Sequence, residues 1–361
     1  MAKKPAKPTY ATFKKPADIK VGVIGYGGAF NMGKKHLEEM RDAGMTPFAV
    51  CEIDPTRLDV ATADFPGIET YDSLDKMLKH SDVNLIVHIT PHNLHYSLAA
   101  KCVKAGKHVV TEKPFVVTTA EADKLIALAE KHNVMVSTYH NRHWDGHIIK
   151  AVQMLVDKQA IGDVFRAELH FGGYGMPRDW WRTSRSISGG ILYDWGVHLL
   201  EYTLQVMRSP IAEVSGFAKT GHWEAKAPKG YPWVGDMNED EATAIVRLQD
   251  GGMINLSVSE LDTSGRPPIA YHGTKGSYTI HMWGPQEGYV LKTPNRKGEI
   301  TEKTGKHAKG QQRLFYKNIA EHLCGQAELI ITPQWARRPI HILDLARRSA
   351  EQGKALKAKY G

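Results

Sequence analysis

The sequence predicts an α/β chain in two parts: a doubly wound parallel sheet, then an α+β domain with an open antiparallel sheet. Three observations carry this. A buried strand, a glycine turn and a helix follow one another in KVGVIGYGGAFNMGKKHLEEM, residues 20–40. Strand and helix patterns then alternate as far as Thr138. Beyond residue 140 the pattern changes, and over 211–292 strand-like runs succeed one another without helices between them, as in antiparallel sheets. The expected divisions are a basic tail over 1–19, a first domain over 20–140 and a second over 141–361.

Val21, Val23 and Ile24 form an apolar run without polar alternation, which suits a strand buried on both faces. Gly25, Gly27 and Gly28 then let the backbone bend and approach a ligand with no Cβ in the way. Met32, His36, Leu37 and Met40 recur at helical spacing. Strand, glycine turn and helix start together make a pyrophosphate pocket, because free N–H groups and the positive end of the helix dipole point into it. Phe30 stands where a dinucleotide fingerprint has its third glycine, so the turn alone also suits an ordinary strand-to-helix connection.

Residues 48–50 read as the second strand, with Glu52 at its end. An acid there accepts hydrogen bonds from the adenosine ribose and repels a 2′-phosphate, which favours NAD over NADP. Asp54 shares that role or caps the next helix before Pro55. Strands at 85–90, 108–111 and 134–138 alternate with helices at 95–105 and 119–132. Ligands bind at the carboxyl ends of such strands, which here carry Thr90, Pro91, His92 and His95, then Glu112, Lys113 and Pro114. A lysine fixed at the mouth of a parallel sheet can hold a substrate hydroxyl in line. A cis Lys113–Pro114 bond is expected there.

In the second domain, a helix at 148–157 precedes a strand at 164–171, an aromatic loop and a helix at 191–207. Strands follow at 211–218, 242–248, 253–258, 277–282 and 289–292, a long exposed loop at 294–310, and helices at 311–324 and 333–352. Asp194 and His198 lie four apart and share a helix face, so the carboxylate can orient the imidazole as a general base needs; a plain structural hydrogen bond fits the same spacing. His140, His143 and His147 have spacings a metal could use, but no cysteine joins them and no metal site is assigned. Trp223, Tyr231 and Trp233 suit either an apolar platform for a sugar or a subunit contact.

Composition excludes several other functions. Over 361 residues, 42% hydrophobic and 24% charged is an ordinary globular mixture. Much of the +8 charge sits in Lys3, Lys4, Lys7, Lys14, Lys15 and Lys20, against Asp18 alone, in a proline-punctuated lead-in. That argues for a solvated tail over a nucleic-acid surface. No apolar run is long enough to cross a bilayer, and Cys51, Cys102 and Cys324 are odd in number and far apart. A cytoplasmic protein without disulfides or membrane partners is expected.

With Gly25-x-Gly27-Gly28, T-P-x-x-x-H at 90–95, AGKHVVTEKP at 105–114 and GGILYDWGVH at 189–198, the sequence resembles the Gfo/Idh/MocA oxidoreductases. These are the glucose-fructose oxidoreductase and inositol dehydrogenase group. The resemblance runs from about Lys20 to the final helix, and Phe30, His92 and His143 depart from the family pattern. It implies a Rossmann domain that binds NAD through Gly25, Gly27, Gly28, Ala29, Phe30, Glu52, Asp54, Thr90, Pro91, His92, His95, Glu112 and Lys113. It further implies that Lys113 bonds the reacting oxygen, His198 takes its proton and Asp194 orients His198 or binds the same hydroxyl, with His143 and Arg182 as further substrate contacts. The implied reaction is hydride transfer between nicotinamide and a secondary hydroxyl of a sugar, glycoside or cyclitol, in a homodimer or homotetramer built through the open sheet. Relatives that keep NAD bound for redox-neutral glycoside cleavage or epimerisation, or that act as non-enzymatic regulators, supply the alternatives.

Overall fold

The computed structural model describes residues 10, 12–28 and 30–359, so residues 1–9 and 11 of the expected tail lie outside the described residues. The chain divides into two compact units. One runs to Asn141 and takes in Arg313–Arg337; the other holds Arg142–Gln312 and the chain from Arg338 onward. The expected second domain, 141–361, is thus corrected at 313–337, which cluster with the first unit. Within that segment Tyr316 is fully buried and stacks on Tyr139.

The first unit contains β1 (Lys20–Ile24), α1 (Met32–Asp42), β2 (Thr46–Cys51), α2 (Pro55–Asp64), β3 (Glu69–Tyr71), α3 (Leu74–His80), β4 (Leu85–His88), α4 (His95–Lys104), β5 (His108–Thr111), α5 (Thr119–His132) and β6 (Val136–Thr138). Among the described residues the strands form one parallel sheet in the order β3-β2-β1-β4-β5-β6. Strand order reverses between β1 and β4, the switch point where such sheets bind ligands. Val21, Val23, Ile86, Val87, Val109 and Val110 are fully buried, as an interior parallel sheet requires. A capping box between Thr118 and Glu121 starts α5, and Asn133 in the left-handed region ends it. β3 and α3 have no counterpart in the sequence reading, because Glu69-Thr70-Tyr71 is too short and polar to show a period.

The second unit contains α6 (Gly146–Val152), β7 (Val164–Gly172), α7 (Arg185–Ser188), α8 (Leu192–Val206), β8 (Ile211–Lys219), β9 (Glu241–Leu248), β10 (Met253–Ser259), β11 (Ile269–Gly273), β12 (Gly276–His281), β13 (Gly288–Pro294) and β14 (Ile300–Gly305). Towards the C terminus come α9 (Leu314–Leu323), in the first unit, then α10 (Pro333–Gln352) and β15 (Leu356–Lys357). Among the described residues the second sheet has the order β14-β13-β12-β11-β7-β10-β9-β8-β15. It is antiparallel except that β7 runs parallel to β10, from which α7, α8, β8 and β9 separate it in the chain. Ala242, Ala244, Val246 and Leu248 alternate inward on β9, and Ile254, Leu256 and Val258 on β10. The expected loop at 294–310 contains β14, which pairs with β13. Residues 300–304 of β14 are exposed, so no apolar alternation announces the strand. Among the described residues no helix is long and apolar enough to cross a membrane, and Cys51, Cys102 and Cys324 are free.

Candidate active site

In the first unit the glycine turn is shaped by three close approaches. Gly25 has φ +97°, and a Cβ there would lie 2.3 Å from the Ile89 carbonyl oxygen. Only glycine fits. Gly27 faces open space within 4 Å, so the turn presents bare backbone, while Gly28 lies against the Arg57 guanidinium. A Cβ on Gly33, in the first turn of α1, would come within 2.6 Å of the Gly25 carbonyl oxygen. The close helix-to-turn packing that a third glycine supplies therefore falls to Gly33, not to position 30, where Phe30 is exposed. Ala29 lies outside the described residues.

Glu52 ties this turn to β2. Its Oε2 accepts the Tyr26 N–H (2.7 Å), and its Oε1 accepts those of Ile53 (2.7 Å) and Asp54 (3.1 Å). Arg57, absent from the sequence reading, donates from Nε to the Tyr26 carbonyl (3.0 Å). Asp54 takes the capping role: its Oδ1 accepts from the Thr56 N–H and hydroxyl, and those bonds hold its carboxyl below the usual range. The bare Gly27 backbone beside the start of α1 and the carboxylate at the end of β2 are the parts a dinucleotide needs, so these residues fit the cofactor.

The loops after β4 and β5 are joined by His95. It is fully buried, with Nδ1 2.6 Å from the Pro114 carbonyl oxygen and Nε2 3.1 Å from that of Thr90. Its place is therefore behind the sheet edge, fixing the loops that carry Thr90, Pro91 and Lys113. His92 is also buried, its ring 5.6 Å from that of His95. The Lys113–Pro114 bond is cis. Glu112 accepts the Lys113 N–H at Oε2 (2.8 Å) and meets His36 Nε2 at Oε1 (3.0 Å).

In the second unit the helix carrying the Asp/His pair is braced at its start. Gly189 and Gly190 have φ +92° and +121°. The Ile191 N–H then donates to Glu239 Oε2 (3.0 Å), satisfying one of the donors a helix start leaves open. Asn238 donates to the Arg182 carbonyl (2.6 Å), and Asp236 accepts the Ser186 N–H (2.9 Å). Residues 236–239 thus hold the whole approach to α8, a role no local pattern in the sequence announces. Asp194 is half-buried with Arg182 Nε 4.0 Å away, and the Arg182 guanidinium lies over the rings of Trp180 and Trp181. His198 is buried, its ring 5.6 Å from that of Trp195, which stacks on Phe171 at 4.3 Å.

His143 Nδ1 contacts buried Glu201 at 2.5 Å. His147 packs edge-on to Tyr202, and burial pushes it down to about 4. No group of three or more potential ligands able to hold a metal occurs among the described residues. Trp233 Nε1 donates to Asp179 (2.9 Å), the Tyr231 hydroxyl donates to the carbonyls of Pro177 and Arg178, and Trp223 Nε1 donates to the Glu260 carbonyl (3.2 Å). Through Tyr231 and Trp233 the 220–237 segment is tied to the loop that leads to Arg182, and through Trp223 to the residue after β10.

Comparison with known proteins agrees with the fold of the two units. Residues 19–140 match the model of the oxidoreductase family with an NAD-binding Rossmann fold, and residues 149–279 match the GFO/IDH/MocA C-terminal domain. The chain is 24% identical to a scyllo-inositol 2-dehydrogenase (NADP(+)) of Bacillus subtilis, over 95% of this chain and 97% of the relative. It is 26% identical to a trans-1,2-dihydrobenzene-1,2-diol dehydrogenase of Xenopus tropicalis, over 65% and 67% of the two chains. The crystal structure of an NAD-binding protein from Listeria innocua shares the fold at TM-score 0.76 and 24% identity, covering 94% of this chain and 97% of that one. With both of its domain types matched in order, this chain is a member of the Gfo/Idh/MocA family of oxidoreductases.

Proposed function

We propose that this protein is a dehydrogenase acting on a secondary hydroxyl of a sugar, glycoside or cyclitol, with NAD as its cofactor. The observation that carries the reading is Lys113 at the carboxyl end of β5, its backbone pinned by Glu112, in a chain that also presents Asp194 and His198 four apart on α8. Bound NAD supplies the hydride acceptor. Lys113 donates a hydrogen bond to the substrate oxygen and stabilises the charge that develops as its proton leaves. His198 takes that proton, and Asp194 holds the ring or the same hydroxyl. Trp195, stacked on Phe171 and edge-on to Trp283 at 5.3 Å, offers a flat apolar wall near His198, which supports a ring-shaped substrate. The inositol and dihydrodiol relatives support the same class.

A cofactor-reduction screen over sugars, glycosides, inositols and cyclic diols, run with NAD and NADP in parallel, tests the proposal. Lys113→Ala and His198→Ala are expected to lower kcat on the substrate found by about 100-fold or more, while binding of NADH persists. Full turnover in either variant would sink the assignment.

A further inference from the structure

We propose that His36, backed by Tyr316, is the positioning residue for Lys113, acting through the Glu112 carboxylate. The inference rests on the reading of Lys113 given above. Four groups of the first unit form one line. The Tyr316 hydroxyl lies 2.5 Å from His36 Nδ1, His36 Nε2 donates to Glu112 Oε1 (3.0 Å), and Glu112 Oε2 accepts the N–H of Lys113 (2.8 Å). His36 is fully buried, with the Tyr139 ring edge-on at 4.3 Å and that of Tyr316 at 5.9 Å, so it has no other place to turn.

A carboxylate taken out of water must be paired and hydrogen-bonded or it neutralises itself. Burial pushes the Glu112 carboxyl up, but His36 and Lys113 outweigh it and hold it below its usual value. Tyr316 keeps its proton, since burial pushes the phenol well above its usual range. The line therefore ends in an ionised group folded back onto the backbone N–H of the next residue. Displacing the start of the Lys113 backbone breaks a charge-assisted hydrogen bond in a largely buried site. Nothing in a local strand-end pattern calls for a histidine on another element to do this. His36 lies on α1, whose first turn carries Gly33 against the Gly25 carbonyl. One helix thus fixes both the glycine turn and the base of the reacting lysine.

His36→Leu removes the donor to Glu112, and His36→Gln keeps an amide N–H at the same reach. On the substrate identified by the screen, His36→Leu is expected to lower kcat by about 10- to 100-fold with substrate KM changed less than about threefold, because misplacement at the reacting atoms costs rate more than binding. His36→Gln should recover most of the loss. A second readout needs no turnover: acetylation of Lys113 by acetic anhydride, followed by mass spectrometry, should run faster in His36→Leu than in the wild type and return in His36→Gln. A folded His36→Leu protein that binds NADH, keeps kcat within twofold and labels at the wild-type rate overturns the proposal. If His36→Leu does not fold, Tyr316→Phe carries the test: faster labelling and a several-fold lower kcat are expected, and no change in either overturns it. Lys113→Ala is the control that separates the two ideas. Turnover in that variant defeats the assignment of Lys113, whereas a dead Lys113→Ala beside an unaltered His36→Leu defeats the positioning role alone.

Discussion

Glu52 receives three backbone N–H groups, from Tyr26, Ile53 and Asp54, and so does two things at once. It closes the base of the glycine turn, and it sets a carboxylate beside that turn at the end of β2. Arg57, with Nε on the Tyr26 carbonyl and its guanidinium against Gly28, brings the opposite charge to the same turn. On the proposed reading, in which NAD binds at this turn, the balance between the two side chains sets how a 2′-phosphate is received. Replacing Glu52 by Ser removes the repelling charge and leaves Arg57 in place. The expected outcome is a rise of about tenfold in the ratio of kcat/KM for NADP to that for NAD, read from steady-state kinetics with each cofactor. An unchanged ratio would show that the discrimination lies elsewhere.

At the scale of elements, α1 depends on a glycine that the expected fingerprint does not include. A Cβ on Gly33 would press on both the Gly25 carbonyl oxygen (2.6 Å) and the Tyr26 ring (2.7 Å), and the helix cannot withdraw without disturbing the turn. Gly33→Ala is expected to cost about 1–3 kcal/mol of stability by overpacking, despite alanine's better helix propensity. Chemical denaturation measures the cost, and NADH fluorescence titration should show weaker binding. A gain in stability would mean that the approach is looser than these distances show. The start of α8 follows the same logic from the opposite direction: Glu239 accepts the Ile191 N–H, and Asp236 and Asn238 hold the segment that leads to it.

Across the whole molecule, buried histidines govern the response to acid. Burial pushes His108 and His147 down to about 4, and His88 well below its usual value. The Nδ1 of His108 accepts the Met135 N–H (2.9 Å), which only an unprotonated nitrogen can do. Among the described residues His88 has no hydrogen-bond partner at either ring nitrogen. In the unfolded chain these rings titrate near 6.5, so between about 6.5 and about 4 the unfolded state binds protons that the folded state refuses. Their contribution to stability is complete above that window and is lost as the pH falls through it. Calorimetry should show a Tm that holds from about pH 8 to 7 and then drops steadily towards pH 4.5. A level profile would refute this account.

Local pattern reached far in this chain, and its limits are physical. Apart from β3 and α3, the succession of strands and helices through residue 138, the glycine turn, the acid after β2 and the Glu112-Lys113-Pro114 edge were legible because each is written in neighbouring residues: a period, a missing Cβ, a fixed φ. β14 was hidden because exposed edge residues carry no apolar alternation, and the parallel pairing of β7 with β10 because it joins segments far apart in sequence. Only the tertiary structure decided that Gly33 takes the close-packing role, that Asp54 caps α2, that 313–337 belong with the first unit, and that His36 and Tyr316 stand behind Glu112. Each of these is a contact between residues brought together by folding, and a hydrogen bond or van der Waals distance between distant residues leaves no period in the sequence to read.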